Sequence, residues 1–218
     1  MTTPPLPSRT PVQIEADGGV LLAGDLAVPD DARGVVLFAH GSGSSHQSPR
    51  NRSVAEALQS TGLATLLFDL LSGREADDRS NVFNIALLAE RLETATRWAQ
   101  ARADVGALSL GYFGASTGAA AALVAAARLD DEAAAVVSRG GRPDLAGDSL
   151  PAVTAPTLLI VGGEDREVLR LNEAARERMT APTELEVVPG ATHLFEEPGA
   201  LERVATLATT WFTTNLTA

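Results

Sequence analysis

From Gly34 onward the chain alternates short runs of consecutive apolar residues with longer stretches whose apolar residues recur every three or four positions. The short runs are Gly34–Ala39, Ala64–Asp69, Leu108–Phe113, Ala133–Val137, Thr157–Val161 and Glu184–Val188. They read as strands buried on both faces, as in a parallel sheet covered by helices. The longer stretches predict helices over Arg52–Ser60, Val82–Arg102, Thr117–Leu129, Val168–Met179 and Leu201–Phe212. In the clearest of these, Ile85, Leu88, Leu92, Ala95 and Trp98 fall on one face. Ahead of them, Val12–Ala16 and Val20–Val28 flank Asp17-Gly18-Gly19, which predicts an antiparallel hairpin. A flexible segment with four prolines, Met1–Pro11, is expected before a single doubly wound α/β domain spanning residues 12–218. Domains of this class place their sites at the carboxyl ends of the strands.

One strand-to-helix junction carries chemistry. Leu108–Phe113 runs into Gly114-Ala115-Ser116-Thr117-Gly118, and an Ala-rich helical run follows. A serine between two glycines at such a corner is held so that its hydroxyl projects above the sheet. That hydroxyl becomes a nucleophile near neutral pH only with a base, and the base needs an orienting carboxylate. Of the three histidines, His40, His46 and His193, only His193 follows Ser116 in the chain. It lies on the loop leaving the last predicted strand, in Pro189-Gly190-Ala191-Thr192-His193. The acid is expected after Thr157–Val161, where Gly162-Gly163-Glu164-Asp165 follows. Asp165 is the candidate and Glu164 the alternative; the pair would also suit a plain solvated turn. Backbone amides are expected to hold the oxyanion, one from Thr117 and one from Ser42 in the loop His40-Gly41-Ser42-Gly43-Ser44-Ser45. His40 itself reads as a structural residue that holds this loop.

Composition removes competing chemistries. All 17 basic residues are arginine, so there is no lysine for a Schiff base or a phosphate-binding P-loop. The absence of cysteine removes thiolate nucleophiles, thiolate metal sites and disulfides together. The histidines are dispersed, so neither a metal site nor a cofactor is expected. Gly41-Ser42-Gly43 lacks the third glycine of a dinucleotide-binding loop. A net charge of -11 argues against nucleic acid or anionic membrane as a partner. The longest apolar or Gly/Ala stretch, Gly118–Ala127, is too short for a bilayer, and Met1–Pro11 lacks a secretory apolar core. A cytoplasmic monomer or homodimer acting on a small molecule is the expectation.

The segments Val35–Ser45 and Gly111–Gly118 resemble those of bacterial α/β-hydrolases of the dienelactone-hydrolase-like family that carry a serine nucleophile. The resemblance covers nearly the whole length, from His40-Gly41 through Ser116 to Asp165 and His193. It implies an α/β-hydrolase fold, with a mostly parallel sheet, the N-terminal hairpin and little or no lid. It also implies cofactor-free serine hydrolysis of carboxylic esters or lactones. Dienelactone hydrolases proper carry cysteine where Ser116 stands, so the reaction class carries over while the dienelactone substrate does not. Some members are fused to a phosphoribosyltransferase domain, which has no counterpart in this sequence.

Where many relatives insert a helical cap, only Arg139–Pro151 is available. An open, shallow pocket for small, soluble acyl groups is therefore expected. Arg50, Arg52, Arg74, Arg139 and Arg142 fall on loops at the same edge, and Gly43, Arg139 and Arg142 are the candidates for contacting substrate. Guanidinium binds carboxylate or phosphate through paired hydrogen bonds. The alternative is pairing with Asp69, Asp77, Asp78 or Asp144. Asp69 is expected to orient the His40 loop or hold Arg52, and Trp98 and Trp211 to belong to the core. An imidazole base predicts activity rising through about pH 6 to 7.5. The same triad would equally serve a thioesterase, peptidase or perhydrolase, and the fold alone would serve a binding module without turnover.

Overall fold

A computed structural model describes residues 6–216. Strands β1 (Arg9–Ala16) and β2 (Val20–Ala27) form an antiparallel hairpin. They are followed by β3 (Gly34–Ala39), β4 (Leu63–Phe68), β5 (Leu110–Ala115), β6 (Ala133–Arg139), β7 (Thr157–Gly162) and β8 (Thr183–Val188). All eight join one sheet in the order β1-β2-β4-β3-β5-β6-β7-β8, antiparallel through β1, β2 and β4 and parallel from β4 to β8. This is the α/β-hydrolase architecture that the resemblance implies.

The helices are α1 (Pro49–Gln59), the single turn α2 (Gly73–Ala76), α3 (Ile85–Gln100), α4 (Thr117–Arg128), α5 (Arg166–Arg178) and α6 (Ala200–Leu216). They cover both faces of the sheet, which is why the central strands are apolar at nearly every position, with Thr65, Thr157, Ser138 and Arg139 as buried exceptions. In β3, Val35, Leu37 and Ala39 join the core beneath α3 and α4, while Val36 and Phe38 join the core beneath α1 and α6. The Tyr112 hydroxyl of β5, buried on the α3 side, lies 2.7 Å from the Thr96 hydroxyl. No helix among the described residues is long and apolar enough to cross a membrane.

Several element boundaries differ from those predicted, each for a local reason. Strand β1 starts at Arg9, so Arg9–Pro11 pair with Asp25–Ala27 instead of belonging to a flexible N-terminal segment. Pro11 is tolerated because β1 is an edge strand. Met1–Pro5 lie outside the described residues. Strand β5 starts two residues late because the chain before it turns back, with the Gly106 and Leu108 N–H groups donating to the carbonyls of Arg102 and Val105. Helix α1 starts at Pro49, with the Ser48 hydroxyl accepting from Asn51 N–H and proline at the first helical position. Helix α3 starts at Ile85, where the Asn84 side chain accepts from Leu87 N–H; Val82 and Phe83 form a separate 3-10 turn.

Candidate active site

Ser116 occupies the corner between β5 and α4 with φ 52° and ψ −121°, a left-handed conformation that is costly for a non-glycine residue. Hydrogen bonds to the end of β6, the loop after it and the first turn of α4 hold it. Ser116 N–H donates to the Arg139 carbonyl at 3.3 Å, and the Ser116 carbonyl accepts from Ala119 and Arg142 N–H, each at 3.1 Å. Two glycines permit the crowding around this corner. A Cβ on Gly118 would meet the Ala39 carbonyl oxygen at 2.1 Å, and one on Gly41 would meet Ser116 Cβ at 2.9 Å. The end of β3 and its loop therefore press directly on the serine.

The loops after β7 and β8 bring Asp165 and His193 together, with Asp165 Oδ2 2.6 Å from His193 Nδ1. A carboxylate there holds the proton on Nδ1 and leaves Nε2 free as an acceptor. Asp165 is fixed at the start of α5 by its own N–H, which donates to the Gly162 carbonyl. The His193 loop is anchored by buried Phe195, itself at φ 55°, and by Thr192, whose hydroxyl donates to Glu197 at 2.6 Å. His193 remains partly open to solvent, and it lines the same cavity as Ser116. Glu164, the alternative acid, is exposed; no side-chain partner for it occurs among the described residues.

The loop between β3 and α1 is held from the β4 side. Partly buried His40 donates Nδ1–H to the Gly41 carbonyl at 2.9 Å and accepts Leu70 N–H at Nε2, 3.1 Å away. Burial lowers its pKa, so the neutral ring that fits these two bonds is favoured. Asp69 accepts His46 N–H at 2.7 Å and lies 2.9 Å from His46 Nδ1, so it orients the loop; Arg52 goes instead to Asp25 at 3.1 Å. Among the described residues the Ser42 N–H makes no hydrogen bond. Thr117 opens α4, where first-turn amides have no partner within the helix. Both amides are available to an oxyanion, and their residues line one cavity together with exposed Gly43.

Two cavities meet at this loop. One, of about 240 Å³, is walled by Leu70, Leu71, Ala76, Val82 and Leu88 and floored by Ser42 and Thr117. The other, of about 190 Å³, contains Ser116, His193, Arg50 and Arg139. The site is thus a pair of clefts, one of which has a defined apolar wall. Arg139–Pro151 indeed forms no lid, its 3-10 turns (Pro143–Ala152) packing on α4 and α5. The wall comes from the β4–α3 connection, whose Ser72-x-x-Glu75 capping box was the legible signal for ordered structure. Glu75 also receives Arg91 of α3 at 2.7 Å, which fixes the wall to the helix behind it.

The two arginine candidates separate. Arg142 makes a two-point pair with Asp144 at 2.8 and 2.7 Å and does not line the cavity, so its expected substrate contact is not supported. Arg139 ends β6, is only 8% exposed, and lies 5.8 Å over the Phe195 ring. No carboxylate among the described residues pairs with it. Burial, and then the charge of Arg50, lower its pKa to about 10, which leaves a cation at neutral pH. Arg50 is itself paired with Glu196 at 3.0 Å. Among the described residues no group of three or more His, Asp or Glu side chains is placed to hold a metal ion.

Residues 32–210 match the model of the alpha/beta hydrolase domain family. The solved structure of a dienelactone hydrolase from Anabaena variabilis is 55% identical, with a TM-score of 0.93 over 97% of this chain and 99% of that one. Est1E from Butyrivibrio proteoclasticus, solved with ferulic acid bound, shares the fold at 18% identity and a TM-score of 0.81, covering 94% of this chain and 98% of that one. A curated protein of Mycobacterium tuberculosis named as a phosphoribosyl transferase is 60% identical over 213 residues. That match covers 98% of this chain and 48% of the relative, so the chain spans about half the relative's length.

Proposed function

The chain belongs to the α/β-hydrolase family, and on that footing we propose that it hydrolyses carboxylic esters with small, soluble acyl groups through a serine acyl-enzyme. Ser116 Oγ attacks the ester carbonyl while His193 Nε2 takes its proton, and Asp165 stabilises the resulting imidazolium through Nδ1. The amides of Ser42 and Thr117 receive the oxyanion. His193 then protonates the departing alcohol, and water releases the acyl group by the same proton traffic in reverse. Apart from that water, each of these steps uses a group that the chain itself supplies. The observation that carries the reading is the 2.6 Å contact between Asp165 and His193 at the cavity onto which Ser116 opens.

The acyl chain belongs in the apolar cavity of about 240 Å³, because that cavity adjoins the oxyanion amides and lacks His193. The test is a series of 4-nitrophenyl esters of increasing acyl length, followed before and after the first turnover. A burst equal to the enzyme concentration, lost in Ser116→Ala, supports the reading; steady turnover retained by Ser116→Ala overturns it. Lactone opening is the second reading, favoured by the name dienelactone hydrolase on the Anabaena relative. The same attack opens a cyclic ester, and adding lactones to the panel separates the two. The phosphoribosyl transferase name attaches to relatives about twice as long, and we assign hydrolysis to the half represented here.

A further inference from the structure

Arg139 poses a problem that the proposed reaction does not solve. A guanidinium removed from water and left without a counter-charge is unfavourable, and proteins normally pair it. Arg139 is more than nine-tenths buried, and among the described residues its Nε has no hydrogen-bond partner and no acid pairs with it. It nonetheless lines the cavity that holds Ser116 and His193. Two further features make that cavity attractive to an anion. Ser48 and Arg50, at the N-terminal end of the eleven-residue helix α1, also line it, so the positive end of the helix borders it. Arg50 adds a second guanidinium, partly neutralised at the rim by Glu196, whose side chain is well exposed.

The position of His193 says which part of an ester reaches this charge. The leaving oxygen must lie where the imidazole can protonate it, and His193 lines this cavity but not the apolar one. We propose that the substrate carries a carboxylate or phosphate on its alcohol portion, and that Arg139, assisted by Arg50, binds that anion during ester cleavage. This rests on the reading of Ser116 and His193 as nucleophile and base. The anion recovers, on binding, the interaction that the folded protein denies to Arg139. It takes no part in the bond changes: the acyl–oxygen bond still breaks as serine attacks, and the alcohol leaves with its anionic group intact.

The experiment compares four butyrate-sized esters that differ in the presence, kind or placement of a charge. Butyryl glycolate carries a carboxylate on the alcohol side and butyryl glycolamide is its neutral match. Butyryl 2-phosphoethanol tests phosphate against carboxylate, and ethyl hydrogen succinate moves the carboxylate to the acyl side. Wild type should favour an alcohol-side anion over the glycolamide in kcat/KM by roughly tenfold to a hundredfold, the range of a charge-assisted hydrogen bond. Arg139→Met should remove most of that ratio, Arg139→Lys should restore part of it, and Arg50→Gln should reduce it. The larger ratio of the glycolate and phosphoethanol esters identifies the anion.

Binding of butyryl glycolate and of the glycolamide to Ser116→Ala, measured by calorimetry, reads the anion site without turnover. Equal affinity of these two ligands, or a preference for ethyl hydrogen succinate over the alcohol-side anions in wild type, would overturn the proposal. Failure of a fluorophosphonate to label Ser116 would instead overturn the underlying hydrolase reading, and the calorimetry would still decide the anion site. Should Arg139→Met fail to fold, wild type and the less buried Arg50→Gln decide the proposal through the same ratios.

Discussion

Replacing Asp165 by asparagine removes one charge while keeping nearly the same shape. Two losses follow from the 2.6 Å contact between Asp165 Oδ2 and His193 Nδ1. The first is the charge-assisted hydrogen bond to the imidazolium that forms during attack, worth about 1.5–3 kcal/mol. The second arises because the asparagine NH₂ donates to Nδ1 and so favours the tautomer with its proton on Nε2. That tautomer cannot accept from Ser116, and restoring the productive one leaves a mismatched pair at a cost of about 1–3 kcal/mol. Together these amount to roughly 2.5–6 kcal/mol, or about 10² to 10⁴ in kcat. KM should change little, because neither loss acts on bound substrate before attack. The assay is steady-state hydrolysis of 4-nitrophenyl butyrate, with thermal melting as a control for folding. Glu164→Gln should be silent in the same assay, since its side chain is exposed and unpaired among the described residues. A tenfold or smaller loss in Asp165→Asn, or a large loss in Glu164→Gln, would refute the assignment.

Other consequences test the surrounding structure. Val82→Trp should fill much of the apolar cavity and depress kcat/KM for butyryl and longer esters more than for acetyl, read across the acyl series. Tyr112→Phe should leave the Thr96 hydroxyl short of its buried partner and cost about 1 kcal/mol in a urea melt, with little effect on activity. Burial lowers the pKa of His40 below its ordinary value of 6.5, so the unfolded chain takes up that proton before the folded one does. The contribution of His40 to stability is therefore complete above about pH 6.5 and is lost as pH falls below it. Melting temperatures from pH 7.5 to 5 should show this slope, and His40→Gln should flatten it.

The sheet was legible because its central strands are buried on both faces, so their apolar runs stand out against amphipathic helices such as Ile85–Gln100. Boundaries slipped where a local hydrogen bond overruled the pattern, as where Asn84 starts α3 after Val82 and Phe83 had extended its apolar face. Ser116, Asp165 and His193 could be proposed as a set because each follows a strand and the chain holds few histidines, and the structure brings Asp165 against His193 beside the cavity of Ser116. Arg139 and Arg142 look alike in sequence. They diverge because Arg142 reaches Asp144 two residues on, whereas Arg139 is the last residue of a central strand and has no acid paired with it among the described residues. The apolar cavity was not readable at all, since Leu70, Leu71, Val82 and Leu88 become neighbours only when the β4–α3 connection folds back over Thr117.

The central claim is that Ser116 is made reactive by His193 held against Asp165. Intact-protein and peptide mass spectrometry after exposure to a fluorophosphonate tests it most directly. One adduct on Ser116, absent in Ser116→Ala and formed roughly a hundredfold or more slowly in Asp165→Asn, is the predicted result. An adduct at another residue, or equal labelling rates in wild type and Asp165→Asn, would contradict it.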